Sequence, residues 1–384
     1  QAQNVSLDRM QLNDFSNFAI HGVDVTGFSL SNTVVNGVNG NSTAFDEGSV
    51  SFDDLTGTAA FDGNTISGGL EDNISILNTT GTLSMSVNGG TIGLNSTLFG
   101  NDGILLETQG SAVVNLNVTG TTFLGARGDL IQANALGTST LNVTIQDNTF
   151  QNAHTNSLGG GVTISGGSAS SVINLTYDIS GTAPGAQTFR DAVSNAITAN
   201  IVNGAGTVTG RIQNNNIGVS GIPGSGSSAG SGIAVGAGGT VSHTVTIDDN
   251  SIVGVASSGA GIDVVANGDS TVNATITDNS ATQFSGFPLA ALNTISGGGS
   301  TDTASMCADI KNNTFSVNPA LFPLGDIFTD QISSSASYRF PGYVGPAVGG
   351  PVLDSFLAGQ NTLGANGAFT AAAQNVTGTG TSCP

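Results

Sequence analysis

The sequence has very little positive charge. Among its 384 residues, lysine and arginine together number 6, against 26 aspartates and glutamates, so the formal net charge is −20. Phosphate backbones and anionic lipids are bound mainly through clustered cations, which six scattered residues do not supply. We therefore expect no nucleic-acid partner, and metal cations are the more natural counter-ions.

Tryptophan is absent, and no apolar run approaches the roughly 20 residues that a membrane-spanning helix requires. We therefore expect no membrane insertion. Charged residues make up only 8% of the chain, but 38% of its residues are hydrophobic and many of these alternate with polar ones. Such alternation is typical of an ordered β protein rather than a disordered chain.

Cysteine is also scarce, with only Cys307 and Cys383 present. A disulfide between them would indicate an oxidising, extracellular location, whereas two buried free thiols are the alternative. The chain begins at Gln1 without a methionine or a signal peptide. This start fits an exported protein whose signal has been removed, although an arbitrary start point would look the same.

What the sequence does contain is a repeated ten-residue phrase, clearest as LNVTIQDNTF from Leu141 to Phe150. Its first half alternates apolar and polar residues, as in a strand with one buried face. Asp147, Asn148 and Thr149 then predict a turn, after which Phe150 points inward. Eight further copies, some of them weak, cover residues 57–315 at intervals of about 26 to 35 residues, which suits one turn of a solenoid.

A second phrase, a short apolar strand closed by a glycine-rich turn, precedes many copies, as in NDGILLETQG from Asn101. Each period therefore holds about three short strands and no helical spacing. This pattern predicts an all-β, right-handed parallel β-helix of about ten coils. Stacking is required because a single coil can neither bury its apolar edge nor pair its backbone groups.

One corner of the phrase carries asparagine in five copies. Asparagine tolerates left-handed backbone angles and can bond to equivalent residues in the coils above and below. We predict a structural ladder rather than a catalytic set, formed by Asn148, Asn215, Asn250, Asn279 and Asn313.

The two ends of the chain differ in composition from the repeats. Residues 1–56 are predicted to form an N-terminal cap and the first coils, and the segment 5–12 to be a folded-back cap or a strand offered to a neighbour. Its apolar residues, Val5, Leu7, Met10 and Leu12, are the predicted assembly residues. Residues 316–384, rich in proline and aromatics, are predicted to form a C-terminal cap whose short helix, 351–358, closes that end.

Acidic residues precede the first strand of several coils. If spaced one coil apart, their carboxylates would lie within about 5 Å and would need calcium, cationic partners or hydrogen bonds. Capping by backbone amides is the structural alternative. The candidate Ca²⁺ ligands are Asp46, Glu47, Glu71, Asp72, Asp102 and Asp129.

The coils resemble right-handed parallel β-helices of secreted bacterial surface proteins, a group that includes autotransporter passengers and pectate-lyase-like folds. The motifs DEGS, LEDN, NDGI, RGDL and MCADIKNNTF, with YRFPGY, FLAGQN and TSCP near the end, are similar to β-strand-repeat modules of long bacterial extracellular proteins. This resemblance spans nearly the whole chain. It implies export and surface display without an established chemistry.

Three hypotheses for function follow. The first is a non-catalytic extracellular subunit that assembles with itself, head to tail in our sharper version, or mediates adhesion. The second is an adhesin that binds cell-surface glycans in a groove near the predicted loops 182–200 and 218–230. The third is a polysaccharide lyase or hydrolase, which would depend on Asp72, Asp102 or Asp129.

Overall fold

The chain folds as a parallel β-helix. This computed structural model describes residues 2–256, 259–286, 289–321 and 324–384, so Gln1 lies outside the described residues. Successive strands enter three sheets in rotation, and all strand pairs within the sheets are parallel. The predicted all-β class and the coil of three strands are confirmed.

The three sheets contain 13, 12 and 12 strands. Sheet 1 consists of Gln3–Asp8, Thr26–Ser31, Thr56–Asp62, Thr82–Asn88, Val113–Thr119, Thr140–Gln146, Val172–Ser180, Ala205–Gln213, Thr240–Asp248, Thr271–Thr277, Ser305–Lys311, Ser337–Arg339 and Val376–Thr377. Sheet 2 consists of Gln11–Asn13, Val34–Asn36, Thr65–Ile66, Thr91–Ile92, Thr122–Phe123, Thr149–Gln151, Gln187–Arg190, Asn215–Ile217, Ser251–Ile252, Ser280–Ala281, Thr314–Phe315 and Thr362–Leu363. Sheet 3 consists of Ile20–Val23, Val50–Asp53, Ile74–Asn78, Ile104–Thr108, Ile131–Ala135, Val162–Gly166, Ile197–Ile201, Ile233–Ala237, Ile262–Ala266, Ala290–Ser296, Gly325–Gln331 and Ala368–Thr370.

Helical structure is confined to three short segments of the described chain. The α-helix is Pro351–Gln360, and the 3₁₀ helices are Thr43–Phe45 and Pro319–Leu321. The sheets continue across residues 56 and 315, so those two positions mark where the repeat is recognisable in sequence. No helix within the described ranges has the length and apolar character needed to cross a membrane.

The ten-residue phrase forms the strand, corner and anchor expected of it. Thr140–Gln146 alternates buried and half-buried residues, and the Phe150 ring stacks between Phe123 and Phe189 with centroid separations of 4.8 and 4.6 Å. One detail of the prediction was wrong. The left-handed residue is Asp147 (φ 57°), one position before Asn148, and this turn points Asn148 into the core.

Inside that corner, buried amides form a continuous ladder. Each Nδ2 donates to the amide oxygen of the next coil, from Asn215 to Asn250 (2.9 Å), Asn250 to Asn279 (2.9 Å) and Asn279 to Asn313 (3.0 Å). Gln187 fills the rung between Asn148 and Asn215, and Asn361 accepts from Asn313 (2.9 Å). The same amides also donate to main-chain carbonyls, so they satisfy backbone groups at the corner.

Truncating one rung is expected to destabilise the coil stack. Asn250→Ala removes bonds to Ile212 O and Asn279 and leaves the Asn215 amide without its acceptor, so we expect unfolding to cost about 3 kcal/mol less. Urea denaturation followed by circular dichroism measures this change. Asn117→Ala, at an exposed strand position, is the matched control and should change stability by less than about 0.5 kcal/mol. Equal effects of the two substitutions would refute the ladder's structural role.

The apolar interior also holds a buried pair formed by Tyr177 and His243. The Tyr177 hydroxyl donates to His243 Nε2 (2.9 Å), and His243 Nδ1 donates to Gly236 O (3.2 Å). The tyrosine ring reaches across the intervening coil at Gly210, where an added Cβ would lie 1.9 Å from Cζ of Tyr177. Burial lowers the pKa of His243 to about 4, so the imidazole is neutral and serves packing.

The C-terminal end is closed by three features. Leu353 and Leu357 of the helix Pro351–Gln360 are buried in the core, and the Thr370 hydroxyl donates to Asp354 Oδ1 (2.6 Å). The disulfide between Cys307 and Cys383, which was predicted, ties the last residues back to sheet 1. Disulfides of this kind are typical of oxidising compartments.

Candidate functional site

Three of the predicted acidic residues form a ladder of hydrogen bonds on the segments that lead into the strands of sheet 3. Oδ1 of Asp72 accepts from the Asp102 amide (2.6 Å), and Oδ1 of Asp102 accepts from the Asp129 amide (2.7 Å). Oδ1 of Asp129 accepts in turn from the Gly160 amide (2.6 Å). Each carboxyl therefore caps the backbone of the next coil.

Later coils use neutral side chains in the same register. Asn195 Oδ1 accepts from the Ser231 amide (2.7 Å), and Ser231 Oγ accepts from the Ala260 amide (3.0 Å). An amide and a hydroxyl thus replace the carboxyl without loss of the interaction between coils. This equivalence supports the capping interpretation of the three aspartates.

Burial of these carboxyls changes their acidity. The pKa of Asp102 rises to about 8 and that of Asp72 rises well above its usual range, chiefly through desolvation and then through the charges of neighbouring carboxyls. Both residues are 1% exposed, and their Oδ2 atoms have no hydrogen-bond partner. At such a position the protonated, neutral side chain has a lower free energy than the charged one.

Of the other three candidate residues, Asp46 and Glu47 lie in the loop beside this ladder, and Glu71 directly precedes Asp72. Glu47 is buried, and its Oε2 accepts from the Asn41 amide (2.6 Å) and the Ser42 amide (2.8 Å). Asp46 is left-handed (φ 51°) at the end of the 3₁₀ helix Thr43–Phe45. Burial and the adjacent Asp46 together raise the pKa of Glu71 to about 7.

The six acidic residues do not converge on one point. Asp72, Asp102 and Asp129 lie one per coil, each with one oxygen on a backbone amide, whereas Glu47 caps its own loop. Across residues 2–256, 259–286, 289–321 and 324–384, no group of three or more His, Cys, Asp or Glu side chains is arranged to hold a metal ion. Calcium binding stays a prediction, and the geometry supplies no convergent ligand set for it.

Two of the three ladder carboxyls are also inaccessible to a polymer, whereas Asp129 is half-buried. A carboxyl of 1% exposure, such as that of Asp72 or Asp102, contacts no external polysaccharide unless the coil opens. β-helices include enzymes and non-enzymes alike, so the fold alone does not decide between them.

A groove of about 460 Å³ lies beside the ladder, on the outer face of sheet 3. It crosses the first four coils, and the loop containing Thr43–Phe45 forms one wall. Its lining includes two aromatic rings, a histidine and four carboxylates: Phe18, His21, Phe45, Asp46, Glu47, Asp53 and Glu107. Phe18 stacks on His21 with ring centroids 4.5 Å apart, and His21 Nε2 lies 3.8 Å from Asp53 Oδ2. We call this surface the N-terminal groove.

Most residues of this groove are not among those predicted from the sequence. Only Asp46 and Glu47 were among the predicted site residues, and they were assigned to a metal. Phe18 and His21 belong to the first coil, Asp53 to the second and Glu107 to the fourth, so only the register of sheet 3 brings them together. A signal was present in the outward strand position occupied by Glu107, where the next three coils place Asn134, Ser165 and Asn200.

The predicted assembly segment forms the first coil rather than a folded-back cap. Val5, Leu7 and Leu12 pair in register with the buried residues Phe28, Leu30 and Val35 of the next coil, but they are themselves only partly buried. Met10 lies between two strands, 40% exposed, and packs less deeply than the other three.

The two segments predicted as loops differ from each other. Prediction of a loop at 182–200 was wrong, because Gln187–Arg190 and the start of Ile197–Ile201 pair in sheets 2 and 3. The segment 218–230 has no strand of its own, but Ser227 is buried and bridges the neighbouring coils at Ala192 and Val255. Glycan binding near these segments stays a prediction.

In comparisons with known proteins, no family model, curated protein or solved structure matches this chain. The parallel β-solenoid is thus established by the structure itself. Bacterial origin and surface display, which the sequence motifs implied, stay predictions.

Proposed function

We propose that this chain is a non-catalytic structural protein of an extracellular surface or matrix, which assembles through its N-terminal end. A β-solenoid is compatible with a structural or adhesive role, and the disulfide is typical of oxidising compartments. The observation that carries the proposal is the difference between the two ends of the solenoid.

The N-terminal end presents three edge strands. Gln3–Asp8, Ile20–Val23 and Gln11–Asn13 each pair with a following coil on one side, and within the described residues no strand pairs with the other side. Backbone groups and half-buried apolar side chains are therefore offered together, which is the usual template for strand addition. At the opposite end, the helix Pro351–Gln360 packs against strands of the last coils.

This asymmetry favours contact between two N-terminal ends over the head-to-tail fibre that the sequence suggested. Two copies related by a twofold axis would bring their Gln3–Asp8 strands together antiparallel, and the contact would be closed and self-complementary. The unit of assembly is then a dimer of doubled length. Adhesion would be served by a rigid rod with both C-terminal ends outward.

The assembly is tested by light scattering over a range of concentrations. We expect a mass of twice 37.9 kDa, and rods of twice the single length in negative-stain images with and without calcium. Leu7→Lys, or deletion of residues 1–12, should return the monomer because a charge or a missing strand disrupts the shared edge. Val344→Lys places the same charge at an exposed apolar position, 94% exposed, near the other end and should leave the dimer intact.

Two results would contradict the proposal. One is a monomer at every concentration, and the other is dimerisation that survives loss of residues 1–12 but fails in Val344→Lys. Long filaments would support the head-to-tail arrangement and overturn the twofold contact.

A further inference from the structure

The N-terminal groove combines unbalanced negative charge with exposed aromatic surface. Asp46, Asp53 and Glu107 line it, and Glu71 lies close enough to Asp46 for the two charges to interact. Among the described residues, the ion pairs formed by Arg9, Arg211 and Lys311 all involve other carboxylates, and His21 is the one basic group of the groove. Asp46, Glu71 and Glu107 therefore share a surface with little cationic compensation.

The carboxylates in and beside the groove are close enough for the charge of one to raise the pKa of another. Burial and then the Asp46 charge raise the pKa of Glu107, and Asp46 also contributes to the raised pKa of Asp72 and Asp102. A cation placed among these carboxylates would relieve the repulsion between them.

Aromatic rings flank the same groove. Phe45 is 74% exposed at the tip of its loop, although a phenylalanine of this size is ordinarily buried. Phe18, just before the first strand of sheet 3, also lines the groove and stacks on His21. The faces of such rings attract ammonium and guanidinium groups, and the attraction strengthens as the cation loses water.

The shape of the groove suits a guanidinium group better than a metal ion. The described carboxylates do not form a compact cage for a metal ion, but they are spread along a cleft of about 460 Å³ that crosses four coils. A guanidinium has five donors in a plane, so it can bind separated carboxylates and stack on a ring at the same time. An open cleft that crosses four coils also has room for the peptide residues on either side of an arginine.

We propose that the N-terminal groove binds a basic peptide segment, with an arginine side chain held between the Asp53 and Glu107 carboxylates and covered by the Phe45 ring. This proposal does not depend on assembly through the N-terminal end. It assigns to the groove a protein partner that carries an exposed arginine.

The test is titration of the full chain with a fluorescein-labelled peptide, Gly-Ser-Arg-Gly-Arg-Ser-Gly, at 150 mM salt, read by fluorescence anisotropy. Glu107→Gln should raise Kd about fivefold, and Phe45→Ala should raise it by a similar factor. Asp62→Asn removes an equal charge from an exposed position on sheet 1 and should change Kd by less than about twofold. Unchanged circular dichroism spectra establish that all three variants are folded.

A peptide with citrulline in place of arginine has the same shape without the charge and should not bind measurably. The proposal is overturned if this peptide binds equally well, or if Asp62→Asn weakens binding as much as Glu107→Gln. It is also overturned if the arginine peptide does not bind while millimolar Ca²⁺ or a neutral glycan on an array binds in a Glu107-dependent way.

Discussion

Raising the pH from 5 to 9 is expected to lower the free energy of unfolding of this chain by about 4 kcal/mol through Asp102 alone. Its pKa is about 8 in the fold, against about 4 for an exposed aspartate. The same burial raises the pKa of Asp72, which adds a change in the same direction. The cause is the cost of charging a carboxyl whose Oδ2 atom is buried without a partner.

The direction of this pH effect depends on whether the folded or the unfolded state binds the proton of Asp102 more tightly. Because the folded pKa is the higher one, the contribution to stability is fully present below about pH 4. It is lost as the pH rises from there to about 8, and it changes little above that value. Urea denaturation at pH 5, 7 and 9 measures the change.

Asp102→Asn isolates the ladder's share of this effect. The amide oxygen of the introduced asparagine can still accept from the Asp129 backbone amide, as Asn195 Oδ1 accepts from the Ser231 amide of the next coil. The amide group cannot ionise. We expect the variant to be more stable than the parent at pH 9 and within about 1 kcal/mol of it at pH 5. Asp24→Asn, at an exposed left-handed position that asparagine also tolerates, is the control. An unchanged pH dependence in Asp102→Asn would show that the ladder carboxyl is ionised in the fold.

Loss of the disulfide is expected to have an effect of similar size. Cys307 and Cys383 are 76 residues apart, and closing a loop of that length restricts the unfolded chain by about 4 kcal/mol. The double substitution to serine should lower thermal stability and expose the last residues to protease first, since Cys383 holds them against sheet 1. Arg339 Nη2 donates to Ser382 O (2.9 Å) and is too weak a tie to replace the bridge.

Reduction provides the internal control for this prediction. Dithiothreitol should destabilise the parent chain to the level of the double serine variant and should leave that variant unchanged. If reduction of the parent has no effect on its melting temperature or proteolysis, the bridge contributes nothing to holding the C-terminal end closed.

The proposed assembly and the proposed basic-peptide site both depend on features of the N-terminal third of the rod. The edge strands and the N-terminal groove lie on the same first coils, but they use different residues. The proposed assembly depends on inward-facing side chains such as Leu7, whereas the proposed peptide site uses outward-facing ones such as Glu107. Substitutions at Leu7 and at Glu107 should therefore test the two proposals separately.

The repeated phrase by itself determined the architecture. Alternation in residues such as Leu141, Val143 and Ile145 requires one buried face, and recurrence at solenoid spacing requires stacked coils, so strands and fold class were predictable. The amide ladder was predictable where asparagine recurs. Gln187 and Asn361, which complete it, were not recognised because neither comes directly after a copy of the phrase's first strand. Gln187 follows the segment 181–186, and Asn361 follows the helix Pro351–Gln360.

Only the tertiary structure decided what the acidic residues do. Sequence spacing placed Asp72, Asp102 and Asp129 one coil apart, but it could not show that each has one oxygen on a backbone amide. Nor could it show that the Oδ2 atoms of Asp72 and Asp102 are buried without a partner. The N-terminal groove was beyond sequence reasoning for a related reason. Its residues are contributed by four coils and one loop, and their distances depend on how each coil stacks on the last, which no local pattern encodes.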